Sequence, residues 1–111
     1  MAFKSDIDAV VLGLLQSVSL HGYEITKRLR ELDVKPLAIA ESQLYPILHK
    51  LELDGLIEAV WMPQEGKPAR KVYSITPAGL RALDGKRKEW NSFSAVVSNV
   101  LAPKVKEAGR G

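Results

Sequence analysis

The chain has 111 residues, 46% of them apolar, no cysteine and a formal net charge of +3, which allows one domain with a modest core, helped by oligomerisation, and is too short for two independent ones. The absence of cysteine excludes disulfides, thiolate metal ligands and cysteine nucleophiles. Met1-Ala2-Phe3-Lys4-Ser5-Asp6 has none of the regions of a secretory signal, and no stretch approaches the apolar length of a membrane span, so a soluble, cytoplasmic protein with no membrane partner is expected.

Ile7, Val10, Val11, Leu14, Leu15 and Val18 recur at helical spacing and predict a first amphipathic helix over 7–18. Gly13 inside it costs roughly 1 kcal/mol against alanine, which predicts a close approach by another helix. Ser19-Leu20-His21-Gly22 breaks the pattern. A second helix follows, with Ile25, Leu29 and Leu32 on one face and Lys27, Arg28, Arg30 and Glu31 in water; Asp33 to Ile39, with Pro36, is the turn. A third helix starts between Ala40 and Ser42 and runs to about Asp54, burying Leu44, Leu48 and Leu51. Ser42 and Glu41 both suit its start, Pro46 places its N-terminus close to Tyr45, and Gly55 stops it.

Leu56–Met62 and Val72–Thr76 read as strands around a polar loop, Pro63 to Lys71, which makes a hairpin with an extended tip. Thr76-Pro77 is an N-cap followed by proline at the first helical position, and starts a fourth helix that continues to about Leu101. On that helix Leu83, Trp90 and Val97 recur every seven residues, with Phe93 and Val100 beside the last two. This heptad stripe predicts a partner helix from a second copy, with packing back on the first helix of the same subunit as the alternative. Ala102-Pro103 ends it, and the tail with Gly109 and Gly111 is expected to fray.

Charge is divided unevenly. Residues 1–62 hold 6 basic and 9 acidic side chains, net −3, while residues 63–111 hold 10 and 4, net +6. Positive potential therefore gathers on the hairpin and the helix after it, as phosphate binding requires, although Lys and Arg over 81–88 are equally consistent with a solvated face.

The order helix, helix, helix, strand, basic loop, strand is that of a winged helix-turn-helix: mainly α with a small β-hairpin, plus a long C-terminal dimerisation helix. Residues 1–76 form the DNA-binding unit and 77–111 the dimerisation helix and tail of one compact body. Gln43, Tyr45, His49 and Lys50 lie opposite Leu44, Leu48 and Leu51 and, with Ser42 and Pro46 at the helix end that would enter a groove, make up the expected DNA-binding set of this helix. Gln43 suits adenine and Lys50 guanine or phosphate; His49 suits phosphate or base and has no partner at metal-ligand spacing. Tyr45 reads either as a phosphate contact or as half-buried packing. Lys67, Arg70 and Lys71 suit the DNA backbone or minor groove, or else form a solvated tip. His21 looks structural. No serine has a paired base, and there is no phosphate-binding glycine loop, so no catalytic residue, cofactor or metal is expected.

Several segments go further than architecture. Leu12-Gly13-Leu14-Leu15, Leu20-His21-Gly22-Tyr23-Glu24-Ile25, Leu44-Tyr45-Pro46 with Leu51-Glu52 and Gly55-Leu56-Ile57, and Arg70-Lys71-Val72-Tyr73-Ser74-Ile75-Thr76-Pro77-Ala78-Gly79 occur together in the order found in the PadR family of bacterial transcriptional regulators, which the chain resembles over roughly residues 7–101. Two departures are that Val72 stands where the family usually has a second aromatic, and Lys50 where it commonly has arginine, so Lys50 acts as a point charge without a bidentate fork. The resemblance implies a sequence-specific, homodimeric repressor on a pseudo-palindromic double-stranded DNA operator, not an enzyme, and adds Tyr23, as a phosphate contact or as packing under the turn, and Tyr73 to the DNA-binding set. The short chain is similar to the compact branch of the family, in which one C-terminal helix builds the dimer. A lactococcal multidrug-binding member has a tryptophan where Trp90 stands, and there paired tryptophans sandwich flat drugs. By that likeness a small aromatic effector binds near Trp90, within the set Leu83, Trp90, Phe93, Val97 and Val100; filling of a dimer core is the alternative. The rival for the whole chain is a winged-helix protein-interaction module without sequence-specific DNA binding.

Overall fold

The computed structural model describes residues 3–106, and side chains from Asp6 onward. The elements are α1 (Phe3–Leu14), β1 (Leu20–His21), α2 (Gly22–Glu31), a 3₁₀ turn (Lys35–Leu37), α3 (Glu41–Leu53), β2 (Ile57–Gln64), β3 (Lys67–Ile75) and α4 (Pro77–Leu101). The chain is a winged helix-turn-helix with a long C-terminal helix. The tail expected to fray around Gly109 and Gly111 lies outside the described residues.

One core joins the first three helices to the sheet: Val11 and Leu15 from α1 and the turn after it, Ile25 and Leu29 from α2, Leu44, Leu48 and Leu51 from α3, and Ile57 and Tyr73 from the strands. Helix α1 begins at Phe3 and ends at Leu14, four residues ahead of the expected frame at each end. Val18 accordingly lies in the following turn and is exposed. A Cβ on Gly13 meets nothing within 4 Å, so the close approach expected there does not exist. Leu32 is the C-cap of α2 and stands exposed instead of sharing the buried face of Ile25 and Leu29. Asp33 follows in the left-handed region (φ 56°) and turns the chain out of the helix.

The sheet has three strands in the order β1-β3-β2. Its smallest member is what the pattern break at 19–22 conceals: Leu20 pairs with Tyr73 and His21 with Val72. The hairpin strands also run much further than expected, leaving only Glu65-Gly66 as the turn, with Gly66 at φ 69°. Pro63 and Pro68 mark a loop by composition. Both lie in strands here, Pro63 within the register irregularity between Met62 and Gln64, where a missing N–H costs no ladder bond.

Gly79 is where two segments meet at close range. A Cβ there would collide with the Leu56 carbonyl and lie 2.6 Å from Ile75 Cγ1. The first turn of α4 therefore lies directly on the chain leaving α3, so the long C-terminal helix starts in close contact with the winged helix-turn-helix.

Candidate nucleic-acid interface

Helix α3 divides into two faces. Leu44, Leu48 and Leu51 are buried, while Ser42, Gln43, Tyr45, Pro46, His49 and Lys50 are exposed, so these six expected DNA contacts share the solvent side of one helix. The start of that helix falls in the expected range, but its cap and the place of Pro46 differ. It begins at Glu41 with Ala40 as N-cap, so Ser42 does not cap it and Pro46 lies inside it, a turn later than its ring stiffness predicted. Gln43 Oε1 accepts from the Ala40 N–H at 2.8 Å. The side chain is thereby held at the helix start, while its Nε2 and the second lone pair of Oε1 remain available for a base edge.

Tyr45 flanks this face. Its hydroxyl donates to Glu41 Oε2 at 3.1 Å, and its ring covers Gly22, where a Cβ would lie 3.2 Å from that hydroxyl. Burial, with Glu41 as hydrogen-bond partner and neighbouring charge, raises the phenol above its ordinary value of 10.0. The half-buried packing expected of Tyr45 is present: its ring packs the α2–α3 joint while the residue remains 48% exposed. Lys50 lies on the other flank, with Nζ 3.9 Å from Asp8 Oδ2 on α1.

At the start of α2, His21 is the N-cap, its Nδ1 accepting from the Glu24 N–H at 3.4 Å. Tyr23 is exposed, not packed beneath the turn; its ring lies parallel to that of His21, with centroids 6.3 Å apart. Tyr23 is thus a solvent-exposed residue of the first turn of α2, beside the capping histidine.

The wing cations differ from one another. Lys67 is exposed at the hairpin tip. Arg70 donates to Gln64 Oε1 at 2.9 Å and Gln64 Nε2 donates to the Pro68 carbonyl at 3.0 Å, which braces the arginine across the hairpin. Lys71 turns inward, with Nζ 3.4 Å from Glu52 Oε1 on α3 and 5.4 Å from the centre of the Tyr73 ring, so it joins the wing to α3. Tyr73 does not belong on the DNA surface: it is 3% exposed, within the core. Strand parity carries that signal, since Tyr73 and Ile75 alternate with Val72 and Ser74.

Between the wing and the N-termini of α2 and α3 lies a cleft of about 450 Å³, which gathers Tyr23, Glu41, Tyr45, Arg70 and Lys71 with Trp61. Trp61 was no part of the expected interface. It sits across the ladder from Lys71 and is 65% exposed.

A second, apolar cavity of about 330 Å³ lies between α1, the 3₁₀ turn and α4. It is lined by Ala9, Val10, Leu37, Leu83 and Trp90, with Lys86 and Arg87 also on its wall. Asp6 lines it as well, and its Oδ2 is buried without a hydrogen-bond partner among the described residues. Leu83 packs on the core, whereas Trp90, Phe93 and Val100 are exposed and Val97 half-buried. Trp90 and Phe93 meet at a tilt, with centroids 6.1 Å apart. Val96 and Leu101, absent from the heptad set, are exposed too and widen the apolar stripe. Among the described residues no helix is long and apolar enough to cross a membrane, and no three His, Cys, Asp or Glu gather as metal ligands.

Residues 11–85 match the Transcriptional regulator PadR-like family. The chain is 34% identical over 98 residues to the transcriptional regulator Rv3488 of Mycobacterium tuberculosis, covering 88% of this chain and 75% of the relative. Its fold is similar to that of a PadR-like transcriptional regulator from Bacillus cereus, with a TM-score of 0.81 and 27% identity over 91% of this chain and 96% of the other. Bacillus subtilis PadR, named a negative transcriptional regulator, is 36% identical over 73 residues, 66% of this chain and 40% of the relative. A crystal structure of Bacillus subtilis PadR in complex with operator DNA superimposes with a TM-score of 0.64 and 26% identity over 94% of this chain and 51% of that one.

Proposed function

The chain belongs to the PadR-like family of transcriptional regulators, which are not enzymes, and from that premise we propose that it is a homodimeric repressor whose two α3 helices enter successive major grooves of a pseudo-palindromic operator. The observation that carries this reading is the common exposed face of α3 bearing Ser42, Gln43, Tyr45, Pro46, His49 and Lys50, flanked by Tyr23 and by the basic wing. In that arrangement Gln43 and Lys50 read base edges, while Tyr23, Lys67 and Arg70 hold the backbone. Residues 1–76 supply the reading head, and the helix and tail of 77–111 pair the two copies through Trp90, Phe93, Val97 and Val100. Repression follows from occlusion of the promoter, and the operator-bound and negatively acting relative in Bacillus subtilis supports it.

The apolar cavity beside Trp90 supports a small aromatic effector as releasing ligand. Such a ligand acts only if it binds one relative position of the two heads more tightly than the other.

Selection of genomic fragments by the purified protein tests the reading. The expected result is one recurrent two-fold motif, bound with an affinity that falls steeply with salt and loses base preference in Gln43→Ala or Lys50→Ala. Recovery of fragments with no common motif overturns it in favour of a protein-interaction module.

A further inference from the structure

Antiparallel pairing places Ile57, Ala59 and Trp61 on one face of β2, opposite Ile75, Tyr73 and Lys71 of β3. Near the body this face is core, with Ile57 and Tyr73 only 2% and 3% exposed. Two residues beyond Ala59 the hairpin has left the body. Trp61 therefore continues an inward face that has nothing left to cover, and its indole borders the cleft shared with Tyr23, Tyr45, Arg70 and Lys71. It is outside the core cluster, so its area does not serve the packing of this chain.

We propose that Trp61 packs its indole on a deoxyribose of the operator backbone, giving the wing an apolar, sequence-independent hold beside its cations. This rests on the DNA-binding reading above. A duplex with α3 in its major groove and the wing tip near the adjacent minor groove must carry one phosphodiester strand between them, along this cleft. The cleft offers what such a strand needs: the α2 N-terminus and the basic residues Arg70 and Lys71 of its lining for phosphates, and a flat apolar ring for the C–H face of a sugar.

The test uses a duplex recovered in the genomic selection and an unrelated duplex of the same length. Fluorescence anisotropy of labelled DNA reports binding while tryptophan emission is followed. The expected result is an emission change on binding that disappears in Trp61→Phe. Trp61→Ala should lower affinity on the order of tenfold, alike for both duplexes and with the salt dependence unaltered. Arg70→Ala, by contrast, should flatten the slope of log affinity against log salt by about one unit. Thermal melting of Trp61→Ala free of DNA should match the parent, as its exposure requires. Bound duplex with unchanged Trp61 emission, or a Trp61→Ala variant that binds as tightly as the parent, overturns the inference alone; a parent protein that binds neither duplex overturns the DNA-binding reading and this inference with it.

Discussion

The Thr76 hydroxyl donates to the Gly55 carbonyl at 2.7 Å while it accepts the Gly79 N–H at 3.0 Å. The Thr76 N–H adds a third tie, to the Leu56 carbonyl at 3.0 Å. One residue thus caps α4 and fastens it to the end of α3. Thr76→Val keeps the shape and removes both hydroxyl bonds, so a loss of about 1–2 kcal/mol is expected in urea unfolding. A variant as stable as the parent would show that the cap is dispensable.

Gly79 and Gly13 respond oppositely to alanine. At Gly79 the new methyl runs into backbone at Leu56, which has no rotamer to yield. Gly79→Ala should lose at least about 3 kcal/mol or fail to fold. At Gly13 the methyl enters open space on a helix, and Gly13→Ala should gain up to about 1 kcal/mol. Denaturant midpoints measured side by side decide the matter, and equal shifts would contradict the packing described.

These two positions also show what a sequence carries and what it withholds. Both glycines interrupt helical patterns, and local spacing cannot say which of them another segment approaches, because the neighbour that decides it, Leu56, is remote in the chain. The helices, the cap at Thr76-Pro77 and the exposed face of α3 were legible because periodicity and caps are local. The wing was half legible: Pro63 and Pro68 have the composition of a loop, yet a two-stranded ribbon with free edges accommodates them. Tyr73 was legible by parity and misplaced by resemblance. Trp61 was missed because its meaning depends on where the hairpin leaves the body.

Asp8 tests the link between α1 and α3. Its carboxyl is held above the ordinary 3.8 by burial, and by Asp54 to a lesser degree, against the pull of Lys50 and Lys86. A carboxylate with a raised folded pKa binds its proton more tightly in the folded state, so its ionisation as pH rises through the acid range costs stability. Asp8→Asn should therefore match the parent at the lowest pH and gain on it as pH rises from 3.8 through the raised folded value. It also frees Lys50, and affinity for a selected duplex should rise by the worth of an exposed ion pair, roughly 0.2–1 kcal/mol. Unfolding at a series of pH values, with DNA titration at neutral pH, checks both. A variant that loses stability on going to neutral pH would reverse the assignment.

The far half of α4 bears on assembly. Val96, Val100 and Leu101 are 63%, 66% and 75% exposed, more apolar surface than a lone helix end keeps in water without a partner. Val100→Asp leaves the core untouched and places a charge in the proposed interface. Sedimentation should show the parent as a dimer and the variant as a folded monomer; a parent that sediments as a monomer at all concentrations removes the two-headed reading.

The 25 residues of α4 form an arm of about 37 Å at 1.5 Å per residue. The arm is fastened at Thr76 to the end of α3 and meets its proposed partner at the far end, so a tilt is not absorbed at the joint but passed on whole. A tilt of roughly 10° about the far end carries the reading head through about 6 Å, close to two base-pair rises of 3.4 Å. In the proposed dimer, angular play of that size at the distal contact would be enough to take one head out of step with its half-site while the other stays seated.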